Sequence, residues 1–153
     1  MASGQIYNVA ARPPQPPATV AIIKDNAVNT STMVSQAVEA VLGPGGIGNL
    51  VHSGNTVLLK PNIVSTANLA ATDWHVVRAL VDQIRAVNNG AAIYIGEGSA
   101  SNSGGTTTKT IMTAQGYTAA NFPGVTFLDF NNITESPTNT CVLADSVTGA
   151  DKQ

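Results

Sequence analysis

From Thr19 onward, short apolar runs that end in polar residues alternate with longer segments whose apolar residues recur at a helical period. The runs are Thr19 to Lys24, Thr56 to Lys60, Ala92 to Gly96 and Val125 to Leu128. Between them, Ser31 to Leu42 carries Met33, Val34, Ala37, Val38 and Val41 on one helical face. The segment opening at Thr72-Asp73 and ending at Asn88-Asn89-Gly90 carries Trp74, Val77, Leu80, Val81, Ile84 and Val87. A shorter helix is predicted from Thr107 to Gln115, ended by Gly116. Strands joined by helices of this length cannot form hairpins, so they pair in parallel through right-handed crossovers. The expected class is α/β: three layers, with a mainly parallel sheet of four to five strands, the fifth at Thr140 to Ala144. Thr56 to Lys60 is a continuous apolar run and reads as a strand buried on both faces.

Before this pattern stands Pro13-Pro14-Gln15-Pro16-Pro17, whose fixed φ and missing N–H groups favour an extended arm over helix or sheet. Residues 1–18 are therefore read as a Pro-rich N-terminal arm, with a short strand at Gln5 to Ala10, and 19–153 as a single domain. At 153 residues and 43% hydrophobic, the chain has material for one core.

Charge narrows the function classes. Only 10% of residues are Asp, Glu, Lys or Arg, against about 25% in an average soluble domain. The formal charge is −2, with no basic stripe to displace counterions from a nucleic-acid backbone, so nucleic-acid binding is not expected. Apolar runs fall short of the ~18 residues of a membrane span, so none is expected. The single cysteine, Cys141, excludes an intramolecular disulfide, a thiolate-only zinc site and a protein-ligated iron–sulfur cluster. No cofactor is expected. The surface is rich in Thr and Asn and carries glycosylation-type triplets at Asn29-Thr30-Ser31 and Asn132-Ile133-Thr134, which points toward an extracytoplasmic or secreted setting.

In an open parallel sheet, ligands bind beyond the carboxyl ends of the strands. Lys24 and Asp25 follow the first run, Lys60 and Asn62 the second, Glu97 and Ser99 the third, and Asp129 and Asn131 the fourth, while Asp73 begins the helix after the second. Four of the nine acids and two of the seven bases thus gather at one edge of a chain otherwise poor in charge. Lys60, Asn62, Asp73, Glu97, Ser99 and Asp129 are the candidate ligand-binding residues. An ammonium at Lys60 suits an anionic ligand oriented by Asn62; its alternative is a lysine paired with Asp25, Glu97 or Asp129. Glu97, Asp129 and Asp73 offer oxygen ligands for a hard cation, but relief of their repulsion by Lys24 and Lys60 accounts for them equally, and no metal is assigned.

These strand ends also carry a resemblance. Val57-Leu58-Leu59-Lys60-Pro61-Asn62, Thr72-Asp73 with Val76-Val77-Arg78-Ala79-Leu80-Val81, Ile93-Tyr94-Ile95-Gly96-Glu97-Gly98-Ser99, Gly116-Tyr117 and Val125-Thr126-Phe127-Leu128-Asp129 together resemble the family called domain of unknown function 362. The resemblance spans about Thr19 to Asn131 and implies an α/β scaffold without a settled reaction. Trp74 stands where the family often has proline, a change the first helical turn tolerates. Members often continue into a later Lys-Thr-His-like element, and some carry ferredoxin-like cysteines; the sequence here ends at Gln153 with neither. The resemblance then implies a shortened domain in which, if that later element supplies part of a site, the site is either incomplete or completed by a partner subunit.

The remaining candidates read as structural. The Gly96-to-Gly105 loop has the glycine content of a phosphate cradle but has Ser101 where a third glycine of the dinucleotide fingerprint would fall, and no Gly-Lys-Ser/Thr occurs. His75 shares spacings of three and four with Arg78, Asp82 and Arg85, which predicts a solvated face opposite Trp74 and Leu80. His52 precedes the second strand, at the far end of the sheet. Ser99 has no histidine in a neighbouring strand-end loop, so a hydrolase triad is not expected. Two functions follow, and whether the chain is an enzyme stays open. The first is a self-associating structural or assembly subunit, a homo-oligomer or polymer formed through the arm and an unfinished sheet edge. The second is a small anionic-ligand-binding or enzymatic domain with its site at the strand ends.

Overall fold

A computed structural model describes residues 19–24, 29–67, 71–99 and 106–132, with the backbone of 143–144 and 151–152. The expected arm, Asp25, the glycine loop beyond Ser99 and Cys141 lie outside the described residues. The chain divides into two units: Val20–Pro137, and a second drawn from both chain ends. The second contains β4 (Leu143–Ala144) and β5 (Asp151–Lys152), paired antiparallel. All that follows concerns Val20–Pro137.

The fold is α/β with a parallel sheet of β1 (Thr56–Leu59), β2 (Ala92–Glu97) and β3 (Thr126–Asp129) in that order. The helices are α1 (Thr30–Leu42), α2 (Trp74–Val87) and α3 (Thr108–Ala114), with a 3₁₀ turn at Gly46–Asn49. Each start is capped by the residue type that satisfies orphan N–H groups: Asn29, Asp73 and Thr107 accept from the backbone of Thr32, His75 and Thr110. At the end of α1, Asn49 donates its side-chain amide to the carbonyls of Leu42 and Pro44.

Register places the core. Leu59 lies opposite Ile95 and Ile95 opposite Phe127, so Val57, Leu59, Ile93, Ile95 and Phe127 share one face of the sheet. Val77, Val81 and Ile84 of α2, Ile111 and Met112 of α3, and Tyr117 and Phe122 join the same cluster. Phe122 stacks on Tyr117, with ring centroids 5.6 Å apart, and meets Trp74 and Phe127 edge-on. Helix α1 packs on α2 and the 3₁₀ turn, and buries none of its residues fully.

Three expectations change. Among the described residues the parallel sheet has three strands, where four to five were expected. Thr19–Lys24 forms no strand; Val20 and Ile22 stay exposed, Ile22 at 89%. An apolar β-branched run becomes a strand only when a neighbouring edge accepts its backbone. Finally, β1 is an edge strand and not buried on both faces: Leu58, on the face away from the core, is 52% exposed. Of the expected strand at Thr140–Ala144, residues 140–142 lie outside the described residues, and Leu143–Ala144 forms β4.

Candidate functional site

Because the strands are parallel, their last residues leave the sheet at one end, and the register continues past the core into polar residues. Glu97 lies directly opposite Asp129 on the face that carries Ile95 and Phe127. Two carboxylates therefore stand where the next core layer would be, 5% and 4% exposed. A buried carboxylate is costly unless hydrogen-bonded and paired, and Glu97 is both. Lys60 lies 3.0 Å from each carboxylate oxygen. The backbone N–H of Gly98 donates to Oε1 at 2.7 Å, and that of Ile63 to Oε2 at 3.2 Å. Of the partners considered for Lys60, the one it takes is Glu97. Its side chain still stays 59% exposed, and an ammonium with three donors keeps one beyond the two given to Glu97.

Asp129 accepts from the backbone N–H of Asn131 at 2.9 Å. Asn131 then spans to the end of β2, donating to the carbonyl of Ser99 at 2.8 Å and to Thr108 Oγ1 at 3.2 Å. The Ser99 hydroxyl donates to the carbonyl of Val64 at 2.6 Å. Asn62 itself is exposed, while its backbone is clamped to Thr72: its N–H donates to Thr72 Oγ1, and its carbonyl accepts from the Thr72 N–H at 2.7 Å.

Lys60, Glu97, Ser99 and Asp129 thus belong to one strand-end arrangement, with Asn62 beside it. Asp73 belongs to a second feature. A cleft of about 420 Å³ opens at the start of α2, lined by Ala71 to His75 and by Ala114, Gln115 and Gly116. There Asp73 Oδ1 lies 2.7 Å from His75 Nδ1 while also accepting the His75 backbone N–H at 2.9 Å. The backbone hydrogen bond foremost, opposed by partial burial and aided by the imidazole, holds the Asp73 carboxyl below its usual range. Tyr117 donates to the Thr72 carbonyl at 2.7 Å. Burial, with the Asp73 charge second, pushes its hydroxyl pKa well above the usual phenol range. His75 corrects the sequence expectation: it does not lie opposite Trp74 but stacks on it, ring centroids 3.7 Å apart. Arg78 and Asp82 do form the expected pair at 2.9 Å. Side-chain torsions near the helix start, which periodicity does not encode, decide that difference.

Sequence reasoning also missed Thr108, fully buried and bonded to both Ser99 and Asn131. Its signal was available in kind: a hydroxyl residue beside the cap of a short helix after a Gly-Ser strand end. Among the described residues, no group of three or more His, Cys, Asp or Glu could hold a metal ion, and no helix is long and apolar enough to cross a membrane. A family model described as "Domain of unknown function (DUF362)" matches residues 57–150. No curated protein and no solved structure matches the chain.

Proposed function

We propose, for a chain that belongs to the Domain of unknown function (DUF362) family, that Val20–Pro137 is a binding domain for a small anionic ligand at the carboxyl ends of β1 to β3. The observation that carries this reading is Lys60, whose ammonium is fixed by the buried Glu97 yet remains more than half exposed. Fixing removes much of the rotamer entropy that a free lysine loses on binding. Asn62 adds an exposed amide beside it. The matching measurement is calorimetric titration of the full chain with inorganic phosphate and, separately, acetate. Lys60→Met should weaken whichever anion binds by at least ten-fold, about 1.4 kcal/mol. Equal affinity in the variant, or no binding of either anion by the native chain, would remove the reading.

Self-association is the second reading, favoured by a separate observation. Val20 and Ile22 are apolar, exposed and two residues apart on a segment that is neither helix nor strand, and β1 and β3 are the outer strands of the described sheet. Replacing both with serine, or deleting residues 1–17, should lower the mass measured by light scattering after size-exclusion chromatography. A native chain that elutes as a monomer would dispose of this role.

A further inference from the structure

We infer that His75 is a proton-transfer residue of the cleft at the start of α2, accepting at Nε2 a proton from water that attacks a small, uncharged acyl ester. The inference is independent of the strand-end reading and uses none of its residues.

Three constraints fix the imidazole. The Asp73 carboxylate takes Nδ1 at 2.7 Å, which favours the tautomer with its proton on Nδ1 and leaves Nε2 as the basic nitrogen. The ring stacks on Trp74, with an interplanar angle of 26°. Trp74 is itself held by Phe122, edge-on at 6.2 Å, and by the backbone of Gly116, where a Cβ would come within 2.6 Å of the indole nitrogen. A solvated surface histidine has no such shell. The ring is nonetheless exposed, with 57% of its side chain open to solvent, and it lines a cleft large enough for a small molecule.

A base held in one tautomer by a carboxylate is one half of a nucleophilic triad. Among the described residues no serine or cysteine lines this cleft, and the one hydroxyl there, Thr72 Oγ1, accepts from the Asn62 N–H, so the group to be activated is water. As the water oxygen bonds to the acyl carbon, its proton passes to His75 Nε2. The bond from the acyl carbon to the alcohol oxygen then breaks, and the imidazolium returns the proton to that oxygen, giving one acid and one alcohol. The cleft contains an ionised Asp73, 64% exposed, which repels anions and selects an ester without negative charge.

The test is hydrolysis of p-nitrophenyl acetate by the full chain near neutral pH. The native chain should exceed the buffer rate, and His75→Gln should remove at least nine-tenths of the excess. Asp73→Asn preserves a good helix cap but withdraws the carboxylate, and should lower the excess several-fold. In that variant, ¹⁵N spectra should show His75 losing its preference for the Nδ1–H tautomer, a change that a purely structural role for Asp73 would not produce. His52→Gln, at the far end of the sheet, should hydrolyse like the native chain. An excess rate that survives His75→Gln, a native rate equal to buffer, or a native His75 protonated on Nε2 would each overturn the proposal.

Discussion

Glu97→Ala should destabilise the domain by about 3 kcal/mol, the larger part of it from backbone groups and not from the lost ion pair. Lys60 is mostly exposed, so its ammonium rehydrates when the carboxylate is gone, and the cost of burying that carboxylate disappears with it. The Ile63 N–H has no such recourse: Ile63 is fully buried, and its amide donates to Glu97. The Gly98 N–H loses its 2.7 Å acceptor as well. A buried donor left unsatisfied costs about 1–3 kcal/mol, and the emptied volume adds a cavity. Lys60→Met leaves both amide bonds in place and should cost about 1 kcal/mol. For a chain of this length, 3 kcal/mol lowers the melting temperature by about 10 °C. Urea denaturation of the two variants tests the asymmetry directly. Equal losses would mean that the ion pair, not the backbone, is what Glu97 supports. Charges at strand ends are ordinarily cheap to remove; here the register carries the carboxylate into the core layer, so the binding test rests on Lys60.

The elements were legible in the sequence; the register that carries Glu97 into the core was not. Alternation of apolar runs and helical segments was enough to place β1, β2, β3 and the three described helices, with Asp73 read as a cap and Gly116 as a stop, while the caps Asn29 and Thr107 emerged only in the structure. The clustering of Lys60, Glu97, Ser99 and Asp129 followed from parallel pairing alone. Burial did not follow. Whether Glu97 faces the core depends on the strand running one residue past Gly96, which periodicity fixes only within a residue or two. Thr19–Lys24 shows the converse limit. Its composition suits a strand as well as that of Thr56–Leu59, but strand formation is decided by a partner edge, and sequence composition does not report one.

Gly116→Ala should cost about 3 kcal/mol, while Gly54→Ala, at nearly the same φ, should cost about 1 kcal/mol. Both glycines have positive φ, +84° and +81°, so both substitutions incur the left-handed penalty for an L-residue. At Gly54 a Cβ would meet nothing within 4 Å, and that penalty is the whole effect. At Gly116 it would come within 2.6 Å of Trp74 Nε1. The indole has little room to yield, with His75 stacked on it and Phe122 against its edge. The difference between the two variants therefore isolates the contact from the backbone term. Trp74 is the only tryptophan in the chain, so its fluorescence reports the same site: Gly116→Ala should shift the native emission, and Gly54→Ala should leave it in place. If the two variants lose equal stability, the close packing of Gly116 on Trp74 is wrong, and with it the support that holds the His75 ring over the cleft.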